Sequence, residues 1–471
     1  MELKINHKLN TFIFLLPSLI TALSSIIALP FLTKKLDLED FGYFYLCLII
    51  LNFCGSFTLL GGTITMARMF HDKPFKNQQI FMSNLFFLIL SISSLISIFV
   101  FILWDPIVSH YLISKKHLYI LMFVLILYGF QTCVSEILTI KNKPLFFALF
   151  MGCQSVFGAI INIYLIRNFN FGVDTLFYSI LGSNIVASFF IFYILLQYVK
   201  FLPSVEVLKE ISKEYKIAIS GFFENLFIFF ERNLINKLFG LEFFTLFNYA
   251  KSYESNMLTI NKAIVRGIYS SALTEFKKRK KFSYCKKSID YILLVVSFFG
   301  LFFSTIGYDF LSIISNDKFS ESAYLVSLLC LVRIFSNTNV AYNITILVNG
   351  KIKSLANVVF YDKLSLLILL IFLVPLIGLN GLVISYILSA IILKIYFIKT
   401  SRKFFNVPFL EENIFLIFCI LSSVLLISIN FADDFYSRLN LFIITFLLGL
   451  YYFRFEILSF FSYCIAIVSR K

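Results

Sequence analysis

Runs of about eighteen to thirty mostly apolar residues follow one another along almost the whole chain, with only short polar joints between them. That pattern leaves few folds open. A bilayer core of roughly 30 Å takes about 20 helical residues to cross. Inside it every backbone N–H and C=O must be paired within the protein, which leaves only helices and closed barrels. The runs are too long and too uniformly apolar for barrel strands, which alternate. The expected fold is therefore an all-α polytopic membrane protein.

The spans fall at about 11–32, 42–66, 80–104, 118–139, 145–166, 174–198, 217–238, 243–273, 288–307, 323–348, 354–377, 379–398, 413–430 and 439–460, about fourteen transmembrane helices. Composition agrees: 59% of the 471 residues are hydrophobic, 14% are charged, and the mean hydropathy is +0.89, a profile outside the soluble range. The first run resembles a signal peptide, but Thr33-Lys34-Lys35 follows it without a small-residue cleavage site, and it reads as a retained helix bent at Pro17. The 61 Phe read as lipid-facing bulk.

A net charge of +15 raises nucleic acid as a partner, but its distribution argues against it. With the N-terminus placed inside, the inner loops carry 25 Lys and Arg and the outer loops 8, the remaining eight lying within spans. Such a bias puts both termini in the cytoplasm, with the run Lys277-Lys278-Arg279-Lys280-Lys281 beside anionic lipid. No C-x-x-C pair, no metal-ligand spacing and no phosphate-binding G-x-x-x-x-G-K-[ST] run occurs. The expectation is a non-enzyme with no catalytic residue, cofactor or metal.

Faint internal repetition orders the spans. Leu36–Phe44 resembles Phe239–Phe247 at an offset of 203, Lys141–Leu145 resembles Lys351–Leu355 at 210, and Leu176–Ser183 resembles Leu382–Ser389 at 206. A repeat of six spans is even, so the two halves are parallel and related by an axis along the membrane normal. The expected organisation is an N-terminal six-helix half (1–199), an amphipathic cytoplasmic connector (200–216), a C-terminal six-helix half (217–398), and two additional helices (399–471).

The stretch from Phe243 to Leu273 departs from the rest. It carries Lys251, Glu254, Lys262 and Arg266, and positions 251, 254, 258, 262 and 266 advance by three or four, so they share one helical face. A charge at mid-bilayer costs about 2.5–3.5 kcal/mol on insertion scales, so this stripe faces other helices or a wet cavity, and its ligand is anionic. Lys262 and Arg266, one turn apart, read either as contacts to a substrate phosphate or as ion-pair partners of another helix. Lys251 and Glu254 read as a mutual pair or as part of the site. On the preceding span Glu224 and Glu231 share a face and read as proton or sodium sites or as partners of these cations. Arg232, close to the outer end of that span, reads as a substrate contact or as a side chain that snorkels to the interface. Arg333 and Asn337 share a face of the tenth span and read as ligand contacts or packing groups. Together with Glu254, Glu224 and Glu231 are the candidate ion-coupling carboxylates.

The segment Pro30-Phe31-Leu32-Thr33-Lys34-Lys35-Leu36-Asp37-Leu38-Glu39-Asp40-Phe41-Gly42-Tyr43 resembles the first external loop of polysaccharide flippases in the multidrug/oligosaccharidyl-lipid/polysaccharide superfamily. Gly61 and Arg68 fall where that family ends its second helix, and Leu238–Glu242 resembles the second-half counterpart. Asp37 stands where the family usually has Gly, and Leu59 where an acidic residue often precedes the glycine, so no coupling acid is carried over to the second span. The likeness covers 11–398 and implies a fold like that of the multidrug exporters of this superfamily (MATE-like). It also implies a transporter that moves an undecaprenyl-diphosphate-linked oligosaccharide, such as an O-antigen unit for lipopolysaccharide or a capsule unit, across the bacterial inner membrane. Glycosyltransferases and a polysaccharide polymerase are then expected partners. A membrane polymerase or ligase is the first alternative, disfavoured by external loops of about fifteen residues or fewer. A multidrug exporter of the same superfamily is the second, disfavoured by a stripe suited to anions.

The charge bias makes a direct prediction. In a chain whose native cysteines have been replaced, a membrane-impermeant thiol reagent should label Asp317→Cys but not Arg279→Cys in intact spheroplasts; labelling at 279 reverses the orientation.

Overall fold

The computed structural model describes residues 7–58, 75–102, 114–141, 143–200, 204, 215–348, 352–403, 414–431, 434–452 and 454. The connector at 205–214, Leu59, Gly61, Arg68 and the end of the chain lie outside the described residues. The helices are α1 (His7–Thr33), α2 (Leu38–Thr58), α3 (Phe75–Ile102), α4 (Lys115–Ile140), α5 (Pro144–Asn168), α6 (Asp174–Tyr198), α7 (Tyr215–Arg279), α8 (Ser283–Ser304), α9 (Gly307–Ser315), α10 (Ser322–Ser336), α11 (Val340–Val348), α12 (Ile352–Arg402), α13 (Ile414–Phe431) and α14 (Phe435–Tyr452). By length and composition seven of the described helices can cross a membrane, or eight if the bent pair α10 and α11 is one span. The protein is an all-α, multi-pass membrane protein.

Three expectations are adjusted. The seventh and eighth spans are not separated by a loop, because α7 carries both and breaks only at Gly240 (φ 82°, ψ 173°). That backbone is closed to residues with a Cβ, so one glycine does the work of a turn. The tenth span bends by 43° where α10 gives way to α11, at the polar run Asn337-Thr338-Asn339. The predicted loop after 307 instead forms the short helix α9, whose Leu311 is fully buried. Within α12 the break falls at Ile377–Gly378, where the spans 354–377 and 379–398 are predicted to meet.

The chain forms two compact units, one of Leu16–Thr245 and the other of Leu246–Lys471 with Met1–Leu15, so the boundary falls inside α7. In the first unit, Phe81, Leu85 and Ile89 of α3 pack with Phe130 of α4, Phe150 of α5 and Ile191 of α6. Cys47 and Leu51 of α2 pack with Leu121 and Leu125 of α4 and Phe177 of α6. Lipid tails are as apolar as these side chains, so such contacts hold the helices by close packing rather than by expelling water. Polar knots at the two ends add direction.

At one end the starts of α2, α4 and α6 meet, as alternate membrane crossings require. Buried His117 (5% exposed) presents Nε2 to Asp174 Oδ1 at 2.6 Å and Nδ1 to the Tyr43 hydroxyl at 2.8 Å. Its ring stacks on Phe177 at 3.9 Å. The Tyr43 oxygen also accepts the Ser114 N–H (3.0 Å), and Lys116 donates to the second Asp174 oxygen (2.5 Å). At the other end, where α3 starts and α4 and α6 stop, Gln79 donates to Gln197 O (3.0 Å) and Lys141 to Gln78 Oε1 (2.8 Å). Ser83 Oγ and Asn84 Oδ1 accept the N–H groups of Lys200 and Ser204.

The two copies of the repeated 36–44 motif also touch one another. At the offset of 203, Leu38 corresponds to Leu241 and Gly42 to Thr245. Thr245 Oγ1 donates to Leu38 O (2.9 Å) and to Leu241 O (2.7 Å). A Cβ on Gly42 would lie 2.4 Å from Thr245 Oγ1 and 2.7 Å from Leu241 Cγ. The two segments are thus in direct contact through corresponding positions. Overpacking costs about 1–3 kcal/mol. Gly42→Ala should therefore lower the thermal unfolding midpoint of the purified protein, and adding Thr245→Ala should recover part of the loss.

Candidate functional site

The charged stripe stands on α7 beyond Gly240, which is helical throughout to Arg279, so the shared face expected for 251, 254, 258, 262 and 266 exists in the backbone. The side chains of Lys262, Arg266 and Glu224 lie outside the described residues. Glu254 is 3% exposed. Its Oε2 lies 3.0 Å from Lys251 Nζ, and its Oε1 accepts from Arg333 Nε of α10 at 2.6 Å. One carboxylate thus serves two cations, and the cluster carries a net positive charge. Lys251 Nζ also sits 4.5 Å from the centre of the Tyr386 ring, a cation–π contact that strengthens where water is excluded. Arg333 reaches Ser336 Oγ at 3.4 Å, and its position in the last turn of α10 suits a cation to the carbonyl end of that helix.

The bend between α10 and α11 extends the polar interior. Thr338 Oγ1 accepts from Lys394 Nζ of α12 at 3.0 Å, and Lys394 is 7% exposed. Ser389 donates to Asp362 Oδ1 at 3.0 Å. Buried carboxamide atoms of Asn261, Asn337, Asn339 and Asn343 have no hydrogen-bond partner among the described residues. Leaving such a group unpaired costs about 1–3 kcal/mol, so each of these atoms calls for a polar partner. Discontinuous helices inside a membrane place the ends of their backbone dipoles where ions and polar ligands can use them.

Arg232 and Glu231 are neighbours on the other part of α7, in the first unit, with Nε and Oε1 3.7 Å apart and Glu231 6% exposed. The described interior there is otherwise mostly uncharged. Gln131 donates to Gln154 (2.6 Å), Gln154 reaches Asn184 (3.5 Å), and Thr21 and Ser155 share a hydrogen bond (2.6 Å). So the structure brings Lys251, Glu254, Arg333 and Asn337 into one unit and leaves Glu231 and Arg232 in the other.

Sequence reasoning missed Lys394 and Tyr386. Lys394 had a signal, a single charge inside the 379–398 run. Tyr386 had none, because its role comes only from its position over Lys251.

The last two helices border a groove of about 430 Å³ lined almost wholly by apolar side chains, among them Leu294, Phe298 and Leu301 of α8, Leu421 of α13 and Phe446 of α14. One end of α14 is pinned. Arg438 makes a bidentate pair with Asp309 of α9, both contacts 2.8 Å, and lies over the Tyr308 ring.

Fold and interior together define a polytopic helical bundle with a charged, broken-helix site in one unit. No protein-family model matches the chain, and no curated protein matches its sequence. Solved structures do match. The chain is similar to the lipid II flippase MurJ in an inward closed conformation, at 15% identity over 94% of this chain and 99% of that one, with a TM-score of 0.70. It is also similar to an inward-facing multidrug resistance MATE family transporter of the MOP superfamily, at 18% identity over 84% and 98%, with a TM-score of 0.62. A MOP superfamily transporter from Pyrococcus furiosus, described by a binding pocket of reverse polarity, matches at 17% identity over 84% and 96%, TM-score 0.62. The fold is therefore the all-α membrane transporter fold of the MATE and MurJ proteins.

Sharing Glu254 between two cations orders the effects of removing each member. Glu254→Gln leaves two buried cations unbalanced and should cost about 3–5 kcal/mol. Lys251→Gln and Arg333→Gln each leave the carboxylate one partner and should cost less. Unfolding midpoints and yields of monodisperse protein in detergent check that order.

Proposed function

We propose that the chain is a flippase that carries an undecaprenyl-diphosphate-linked oligosaccharide, of the O-antigen or capsule repeat-unit type, from the cytoplasmic to the outer leaflet of a bacterial inner membrane by alternating access. The observation that carries this reading is the net-positive buried cluster Lys251–Glu254–Arg333, in the same unit as buried carboxamide atoms that have no partner among the described residues. A diphosphate brings two or more negative charges, which lysine and arginine donors bind strongly where the dielectric is low. The carboxamides of Asn261, Asn337, Asn339 and Asn343 suit sugar hydroxyls. The apolar groove beside α13 and α14 suits part of an isoprenoid chain, which otherwise remains in lipid. A multidrug exporter of cationic compounds fits a net-positive interior less well.

In this reading Lys262 and Arg266 continue the stripe toward the diphosphate, with Lys251, Arg333 and Asn337 completing its surroundings. One helical turn separates Lys262 from Arg266, about 6 Å along the axis, a span that a diphosphate bridges. Glu254 is committed to its two cations, which leaves Glu224 and Glu231 as the carboxylates for any coupling proton or sodium ion. The glycosyltransferases and the polymerase of the same pathway would supply and consume the substrate.

A charge-assisted hydrogen bond contributes about 1.5–3 kcal/mol, so losing one weakens binding by one to two orders of magnitude. The Lys262→Gln, Arg266→Gln double variant should reach the membrane at the normal level and export no glycan, and Arg266→Lys should recover only part of the activity. Normal export by the well-expressed double variant would remove the diphosphate assignment.

A further inference from the structure

The end of the first unit where α4 stops, α5 begins and α6 stops contains a pocket of about 50 Å³ that the flippase reading does not use. Lys141 and Lys143 line it together with buried Ile137 and Tyr198 and exposed Phe146 and Tyr193. Among the described residues no acidic side chain lines it.

Lys141 is held in place. Its Nζ donates to Gln78 Oε1 at 2.8 Å, which ties the ammonium to the start of α3. Burial, and then the charge of Lys143, hold its pKa below the usual lysine value. Two like charges at one pocket favour an anion between them. Lys143 is also the N-cap of α5 and makes no side-chain capping bond, with Pro144 following at the first helical position. The positive end of the α5 dipole therefore adds to the same field. The space takes a few water-sized groups, which suits a phosphate and is too small for a sugar chain.

The surroundings specify what carries the anion. Leu145, Phe146, Phe192, Tyr193 and Leu196 are 50–71% exposed, so large apolar side chains lie beside the lysines. A soluble anion has no use for such a rim, whereas a lipid fits both parts, its chains along the apolar side chains and its head at the lysines. This end belongs to the loops whose Lys and Arg bias assigns them to the cytoplasm.

We propose that this pocket binds the phosphate of an anionic glycerophospholipid in the inner leaflet. The proposal does not depend on the flippase reading and stands or falls separately from it. Occupancy would bridge α4 and α5 at a point that Gln78 and Gln79 already tie to α3 and α6.

The test uses the full chain purified in detergent and titrated with phosphatidylglycerol, phosphatidylcholine, inorganic phosphate or a polyprenyl diphosphate. The readouts are lipid adducts retained in native mass spectrometry and the thermal unfolding midpoint. Phosphatidylglycerol should be retained and should raise the midpoint, while phosphatidylcholine and inorganic phosphate should do neither. The Lys141→Gln, Lys143→Gln variant should lose at least tenfold in phosphatidylglycerol affinity. Lys143→Gln alone, which leaves the Gln78 bond intact, should lose several-fold and shows that the effect is not misfolding. Equal retention by wild type and Lys143→Gln overturns the proposal. Stabilisation by inorganic phosphate alone makes the pocket a free-anion site, and preference for the polyprenyl diphosphate assigns it to a carrier lipid; either result overturns the phospholipid assignment.

Discussion

A carboxylate removed from water must be compensated where it stands, and Glu254 is the point at which the second unit meets that demand. Its two oxygens are divided between Lys251 on its own helix and Arg333 on α10. Neither cation is tolerable in an apolar interior without the carboxylate, and the carboxylate alone would be costly too. The arrangement therefore fixes more than a contact. It sets the rotation of the second part of α7, brings the last turn of α10 against it, and leaves one positive charge in excess. Tyr386 of α12 covers Lys251, so a third helix is tied to the same point. The bend at Asn337–Asn339 follows directly after Arg333, where the last carbonyls of α10 lie near a guanidinium.

Elsewhere the bundle is held by features that a lipid environment makes necessary. Apolar packing does not discriminate between a helix and a lipid tail, so the polar knots at the helix ends carry the positional information. His117, Tyr43 and Asp174 gather the starts of three helices, the Gln78 and Gln79 amides gather the opposite ends, and the Arg438–Asp309 pair fixes the last helix to α9. All three lie near helix termini, where the cost of a polar group in a membrane is least.

Much of this was legible in the residues. The spans were, because about 20 apolar residues in a row permit little else, and so was the Lys251–Glu254 pair, whose members lie one turn apart. The partner of Glu254 was not. Arg333 is 79 positions away, and only the packing of α7 against α10 brings it near. The break in α7 was marked by Gly240, yet the absence of a loop was not, since residues on both sides are equally at home in a helix or at its edge. The bend in the tenth span carried a signal in Asn337-Thr338-Asn339, but an apolar run of full length from 323 to 348 concealed it. Helix α9 was hidden because its apolar residues, Phe310, Leu311 and Ile313, fall in a segment too short to span.

The contact between Gly42 and Thr245 decides which substitutions the junction of α2 with α7 tolerates. Gly42 leaves no room for a side chain, since a Cβ there would lie 2.4 Å from Thr245 Oγ1. The Thr245 hydroxyl uses that closeness to donate to the backbone oxygen of Leu38 as well as to that of Leu241 in its own helix. A side chain that reaches across to backbone ties two helices without requiring a particular residue at the accepting position. The tie therefore survives a change of side chain at Leu38, whereas it depends on both Gly42 and Thr245.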